Sequence, residues 1–168
     1  MTPRATTSTT PSLRSEWGLA RPRTGWVSWL RDSHVLAALA AAVPVWFGLG
    51  LTVADRMLAP ASPGAWLSLL LLQPLAEELL FRGALQGMLL RRTGRRRLGP
   101  LTRANAWATA AFVAVHFIAQ PPGWAVAVAL PSLVFGHMRD RFGSVLPSVV
   151  LHVVYNAGFG LTAWWIHR

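Results

Sequence analysis

Five long apolar stretches constrain this chain more than any other feature of its sequence. They cover residues 35–53, 65–90, 104–119, 123–137 and 144–166, and together they contain three formal charges, Glu77, Glu78 and Arg82. A membrane-spanning helix needs about 20 mainly apolar residues. The first, second and fifth stretches meet that length, whereas the third and fourth are shorter. The sequence therefore predicts an all-α, polytopic membrane helix bundle of about five transmembrane helices.

The charges outside these stretches predict an orientation. The chain has 16 basic residues, all arginine, against 6 acidic ones, for a net charge of +10. Thirteen arginines lie before the first stretch or in the loops after the second and fourth, and only Arg56 and Arg168 lie on the opposite side. Because cytoplasmic loops are enriched in basic residues, we expect a cytoplasmic N-terminus and an outside C-terminus. Topology thus explains the positive charge without a nucleic-acid partner, which is left as an alternative for the basic loop 91–97 alone.

Composition divides the chain into two parts. Residues 1–33 are rich in Thr, Ser, Pro and Arg and have no apolar core, which indicates a flexible cytoplasmic tail that could touch anionic lipid. Residues 34–168 form the predicted integral membrane domain. The absence of Cys excludes disulfides, thiol nucleophiles and Cys-ligated metals. The use of Arg without Lys is typical of a GC-rich bacterial genome, so a bacterial plasma membrane is the expected location.

The second stretch carries an unusual polar cluster. An ionisable group at mid-bilayer costs about 2.5–3.5 kcal/mol on insertion scales, yet Glu77, Glu78 and Arg82 lie within six residues. Glu78 and Arg82 are four residues apart and can pair on one helix face, whereas Glu77 is turned about 100° away from Glu78. The spacing predicts one ion-paired, structural carboxylate and one that is available to exchange a proton.

Two further stretches place polar groups at a similar depth. The third carries Phe112 and His116, and the fifth carries His152 and Asn156, which share a helix face. A rise of 1.5 Å per residue brings both histidines near the level of Glu77. We interpret this convergence as an active site, although a structural Glu–Arg pair with packed histidines is the simpler alternative.

The order Glu-Glu-x-x-x-Arg, Phe-x-x-x-His and His-x-x-x-Asn resembles the CPBP family, the CAAX-protease and bacteriocin-processing, Abi-type intramembrane glutamic endopeptidases. The resemblance covers about residues 74–158, and Ser132 stands where the family often has Gly. It implies a CAAX-protease-like core, a protease domain over 34–168 and hydrolysis of a peptide bond in a membrane-anchored protein or peptide.

The resemblance also implies a role for each motif residue. Glu77 would activate water, His116 would help to hold that water, and His152 and Asn156 would stabilise the oxyanion of the tetrahedral intermediate. Residues with implied supporting roles are Glu78, Arg82 and Phe112. No cofactor is implied by this mechanism.

Three alternatives stay open from the sequence. Glu77, His116 and His152 match a catalytic zinc site in residue type, although His-Glu-x-x-His is absent. A carboxylate–histidine network also suits a proton-coupled transporter, or a non-catalytic bacteriocin-immunity or scaffold protein of the same fold. The substrate is not specified, and a bacterial sorting or maturation protease is the expectation.

Overall fold

The computed structural model describes residues 12–53 and 57–168. Helices dominate these ranges. In chain order the elements are α1 (Leu13–Glu16), a 3₁₀ turn (Ser28–Arg31), α2 (Ser33–Thr52), α3 (Pro63–Thr93), β1 (Arg97–Leu98), β2 (Leu101–Thr102), α4 (Arg103–Ala119), α5 (Pro122–Ala127), α6 (Ala129–Phe142) and α7 (Leu146–Ile166). The two short strands pair antiparallel as a hairpin.

Three of these helices, α2, α3 and α7, are long and apolar enough to cross a membrane. The two shorter apolar stretches fold as α4, of 17 residues, and as α5 followed by α6. Helix α4 packs between the C-terminal half of α3 and α6, and α6 packs in turn on α7. The predicted all-α membrane helix bundle is therefore confirmed.

The distribution of side chains is that of a bundle in lipid. Large apolar side chains face outward, among them Phe47 at 70% exposure and Ile118 at 85%. Glu78 and Arg82, by contrast, are almost fully buried. Polar groups are tolerated at membrane depth where they face the protein interior and find partners there, so the polar centre predicted from the sequence lies inside the bundle.

Local sequence signals fix where the main helices begin and end. Asp32 caps α2 by accepting a hydrogen bond from the His34 amide, and Ser62 and Thr102 cap α3 and α4 in the same way. Gly143 ends α6 in the left-handed conformation, with φ of 67°. These caps set the register of the helices that carry the polar clusters.

Helix α3 is continuous over 31 residues, about 46 Å, but it contains two π-helical segments, Ser68–Leu72 and Leu79–Leu85. In the first, the Gln73 amide bonds to the Ser68 carbonyl five residues back. The next bond in that register would join residue 74 to the Leu69 carbonyl, but Pro74 has no N–H. The Leu69 carbonyl, in the second turn of the helix, thus lacks this backbone partner. Such π segments are frequent at functional sites.

The N-terminal segment, defined here as residues 12–31, packs against the bundle. The Arg139 guanidinium donates from Nη2 to the Glu16 carbonyl at 2.7 Å, and the Val145 amide donates to the Gly18 carbonyl at 2.9 Å. Gly87 permits this approach, because a Cβ there would lie closer to the Glu16 carbonyl than van der Waals contact allows.

A buried tryptophan anchors the far end of the N-terminal segment. Trp29 is 3% exposed and lies against Phe142 in the main apolar cluster. The structure thus places residues 12–31 against the bundle, where the sequence suggested a flexible tail. Composition does not reveal the glycine and arginine contacts that hold the segment. The remainder of that predicted tail, 1–11, lies outside the described residues.

Candidate active site

A buried ion pair forms the base of the site. Arg82 Nε lies 3.2 Å from Glu78 Oε2, and the side chains are 1% and 0% exposed. The sequence predicted this pair from its four-residue spacing. Arg82 also donates from Nη2 to the Ser132 carbonyl at 3.0 Å and to its hydroxyl at 2.9 Å. These hydrogen bonds link α3 to α6. The ion pair with Arg82 compensates the charge of Glu78 inside the bundle.

His152 joins the two glutamates. Its Nδ1 lies 2.9 Å from Glu78 Oε1, and its Nε2 lies 3.8 Å from Glu77 Oε2. The shorter contact is a hydrogen bond in which Nδ1–H donates to the carboxylate, whereas 3.8 Å leaves room for a bridging group. Phe135 stacks on the imidazole with the ring centroids 4.8 Å apart. The ring orientation is therefore fixed from two sides.

The two adjacent glutamates have different surroundings. The Glu78 side chain is fully buried between Arg82 and His152, whereas the Glu77 side chain is 29% exposed. The 100° turn between neighbouring helix positions accounts for the difference. Glu77 is thus the carboxylate that a water molecule or a substrate can reach.

The Phe112 ring packs against both His116 and the Arg82 of the buried ion pair. The Phe112 ring lies 4.7 Å from the Arg82 guanidinium carbon and 4.3 Å from the His116 ring. His116 Nδ1 lies 2.8 Å from the Phe112 carbonyl. A carbonyl only accepts, so Nδ1 carries the proton, and Nε2 of a neutral ring is left as an acceptor. Within ranges 12–53 and 57–168, His116 makes no direct hydrogen bond to Glu77 or His152.

Asn156 supplies a hydrogen bond to the Leu69 carbonyl, which lacks a backbone partner because Pro74 has no N–H. Its Nδ2 donates to the Leu69 carbonyl at 2.9 Å, the oxygen whose π-register partner is missing. An unpaired buried carbonyl costs about 1–3 kcal/mol, so this contact stabilises α3 two turns before Glu77 and links it to α7. One N–H and the carbonyl oxygen of the Asn156 amide have no partner in this contact.

A hydrogen-bonded chain of buried hydroxyl and amide groups, which was not predicted from the sequence, begins next to Arg82. From Ser132 the hydrogen bonds run to Thr109 at 2.9 Å and on to Asn105 at 3.3 Å. Ser132 therefore gives Arg82 a hydroxyl acceptor that a glycine at this position would lack. Gln86, one turn beyond Arg82, is also buried and bonds to the Gly136 carbonyl and to Asp140. The sequence signal was the same for four of these residues, a polar side chain inside an apolar stretch: Gln86, Asn105, Thr109 and Ser132.

The zinc alternative requires three ligands at one point. In the described part of the chain, no group of three His, Asp or Glu side chains is arranged to hold a metal ion. His116 has its Nδ1 engaged with the Phe112 carbonyl of its own helix, which leaves only Nε2 for any other contact. The residues as placed do not fit a zinc site made of Glu77, His116 and His152.

The fold and the polar centre define an integral membrane protein with carboxylates and imidazoles enclosed by apolar helices. A family model for type II CAAX prenyl endopeptidase, Rce1-like, matches residues 59–158, and all seven motif residues predicted from the sequence lie inside that range. The chain belongs to this Rce1-like family and is an intramembrane protease of the CAAX type, which confirms the resemblance. No curated protein and no solved structure matches the chain.

Proposed function

We propose that the protein is a glutamic intramembrane endopeptidase in which Glu77 activates water. The observation that carries the proposal is the asymmetry of the glutamates: Glu78 is buried in contacts, while Glu77 is partly exposed beside His152. A general base needs room for the water it deprotonates. Glu77 has that room and Glu78 does not.

The reaction would proceed by direct attack of water on the scissile carbonyl carbon. Glu77 takes a proton as the water oxygen forms its bond to carbon, and the carbonyl π electrons move to oxygen. The tetrahedral intermediate then collapses, the C–N bond breaks, and the Glu77 carboxylic acid returns the proton to the leaving nitrogen. His116 would accept the second O–H of the water at Nε2, the nitrogen left available by the Phe112 contact.

His152 and Asn156 are the proposed donors to the oxyanion. With a proton on each nitrogen, His152 donates to Glu78 through Nδ1 and to the developing negative charge through Nε2. The cluster would then hold two carboxylates, Arg82 and an imidazolium, and its net charge would be zero. Asn156 would add the N–H that the Leu69 contact leaves available.

We propose further that this mechanism needs no metal. The placement of the candidate ligands supports this view, since within the described ranges no three His, Asp or Glu side chains are grouped closely enough to hold a metal ion. Activity of the purified protein after exhaustive chelation tests the point. Unimpaired cleavage is expected, and loss of activity that zinc restores would contradict it.

The proposed substrate is a membrane-anchored protein or peptide, cleaved during bacterial sorting or maturation. The protein would lie in the bacterial plasma membrane with a cytoplasmic N-terminus, a proposal that rests on the arginine distribution and on the absence of Lys. Labelling of single cysteines placed at the two ends of the chain tests the orientation, because the sequence has no native Cys.

Cleavage of a single-span model substrate in liposomes tests the proposed function. Glu77→Gln should lower the rate by about 10²–10⁴-fold, the usual contribution of a general base, and His116→Ala should lower it as well. Asp32→Asn is the matched control, since it converts a carboxylate of similar partial exposure to an amide at the start of α2, far along the chain from the site. The proposal fails if both site variants cleave as fast as this control.

A further inference from the structure

A basic cavity lies beneath the N-terminal segment. Its volume is about 390 Å³, and its walls are the N-terminal segment, the C-terminal end of α3 and the C-terminal end of α6. Five of the residues that line it are arginines, against one carboxylate, Glu16. The lining arginines are Arg21, Arg23, Arg91, Arg95 and Arg139.

The positive charge of this cavity is only partly compensated. Glu16 pairs with Arg91 at 3.3 Å, and the buried Arg139 spends its bonds on the carbonyls of Arg82 and Glu16. In the ranges that the structure covers, Arg21 and Arg23 make no ion pair with a carboxylate.

The nearest buried acid offsets only part of this positive charge. Asp140 accepts hydrogen bonds from Thr102 at 2.6 Å and from Gln86 at 2.9 Å, and its charge opposes the lowering of the pKa of Arg23 and of Arg139. Crowding of like charge also shows in the titration of Arg23, whose pKa is lowered by burial and then by the charge of Arg95. Burial lowers the pKa of Arg139 to about 10. The cavity therefore has guanidinium donors in excess of its acids.

The surroundings of the cavity are those of a membrane interface. Helix α3 ends there with arginines that follow its apolar stretch, and the N-terminal segment exposes large apolar side chains beside its lining residues. Trp17 is 45% exposed, Leu19 51% and Trp26 61%. Tryptophans of this kind sit at headgroup level, so a phosphate held by the arginines would have acyl chains next to exposed apolar groups.

We propose that this cavity binds the phosphate headgroup of an anionic phospholipid. Arginine recognises phosphate through two parallel N–H donors, and basic pockets between helices on the cytoplasmic side of membrane proteins bind anionic headgroups. The bound lipid would hold the N-terminal segment against α3 and α6. Arg139 extends this contact to the active-site helix, since it donates to the carbonyl of Arg82 at 3.2 Å.

Lipid binding to the purified full chain in detergent micelles tests the proposal. Phosphatidylglycerol should raise the thermal unfolding temperature, and phosphatidylcholine should not. In the double variant Arg21→Gln/Arg23→Gln the affinity for phosphatidylglycerol should fall by at least about tenfold, since a charge-assisted hydrogen bond contributes about 1.5–3 kcal/mol. Both side chains are at the surface, so the double variant should fold.

The matched control is Arg96→Gln/Arg97→Gln, which removes the same charge from exposed positions at the start of the β1–β2 hairpin, outside the cavity. It should keep the response to phosphatidylglycerol. Equal loss in both double variants would overturn the proposal, because general surface charge would then explain binding. Equal stabilisation by inorganic phosphate alone would overturn a lipid as the source, and so would equal stabilisation by the two lipids.

Discussion

Breaking the Glu78–Arg82 pair from either side should destabilise the protein strongly, and removing both members should cost much less than the sum. Each side chain is at most 1% exposed, and the two lie 3.2 Å apart. Removing one partner of a buried pair leaves an uncompensated charge and costs about 3–5 kcal/mol. Removing both members leaves neither charge of the pair uncompensated, so the double variant avoids part of that cost.

The structure sharpens the expectation for each single variant. Arg82→Met leaves Glu78 with His152 as its remaining partner, and it also unbinds the Ser132 carbonyl and hydroxyl. Glu78→Gln leaves Arg82 charged, with only these neutral oxygens as partners. We therefore expect about 3–5 kcal/mol for either single variant and a coupling energy of about 2–3 kcal/mol in the double variant Glu78→Gln/Arg82→Met.

Unfolding in mixed micelles at increasing dodecyl sulfate, followed by circular dichroism, measures these free energies. Glu77→Gln on the same helix is the matched control and should cost less than about 1 kcal/mol, because that side chain is 29% exposed. Additive costs in the double variant would refute the reasoning, since the two residues would then not stabilise one another. A control as costly as Glu78→Gln would refute the assigned asymmetry.

Three further outcomes follow from individual contacts. Gly87→Ala should destabilise the protein by about 1–3 kcal/mol or speed tryptic cleavage of the N-terminal segment, because the new Cβ meets a backbone carbonyl; Gly48→Ala, with open space around it, should do neither. Asn156→Ala should lower stability by about 1–3 kcal/mol along with cleavage, whereas unchanged unfolding would show that the carbonyl it covers finds another donor. The hydrogen bond from Arg141 lowers the pKa of Asp32. Wild type should therefore be more stable than Asp32→Asn at neutral pH, by about 0.2–1 kcal/mol. This advantage should vanish as the pH falls through the lowered pKa of Asp32. A difference that grows as the pH falls below the usual range of an Asp carboxyl would contradict this assignment.

Most of the fold could be predicted from the charge and hydropathy patterns of the sequence. The apolar stretches predicted the spanning helices because a bilayer demands about 20 apolar residues in a row. The four-residue spacing of Glu78 and Arg82 predicted their pairing, because helix neighbours three and four residues apart share a face. These rules are local, and local rules can be read from one sequence.

Contacts between distant helices could not be derived in this way. The 2.9 Å contact between His152 and Glu78 joins residues 74 positions apart, and the sequence suggested Arg82 as the main partner of Glu78. The Leu69 carbonyl next to the first π segment of α3 lacks a backbone partner because of Pro74, and Asn156 supplies one from another helix. The packing of the N-terminal segment likewise depends on Gly87 meeting a backbone carbonyl. Such features arise from tertiary packing, which composition does not encode.

We propose separate tasks for the two adjacent glutamates, and a paired measurement of activity and stability distinguishes them. Cleavage rate and unfolding free energy are measured on the same reconstituted preparations of Glu77→Gln and Glu78→Gln. Glu77→Gln should lose at least about 10²-fold in rate while its stability stays within about 1 kcal/mol of wild type. Glu78→Gln should lose about 3–5 kcal/mol of stability. Wild-type cleavage by Glu77→Gln would contradict the account.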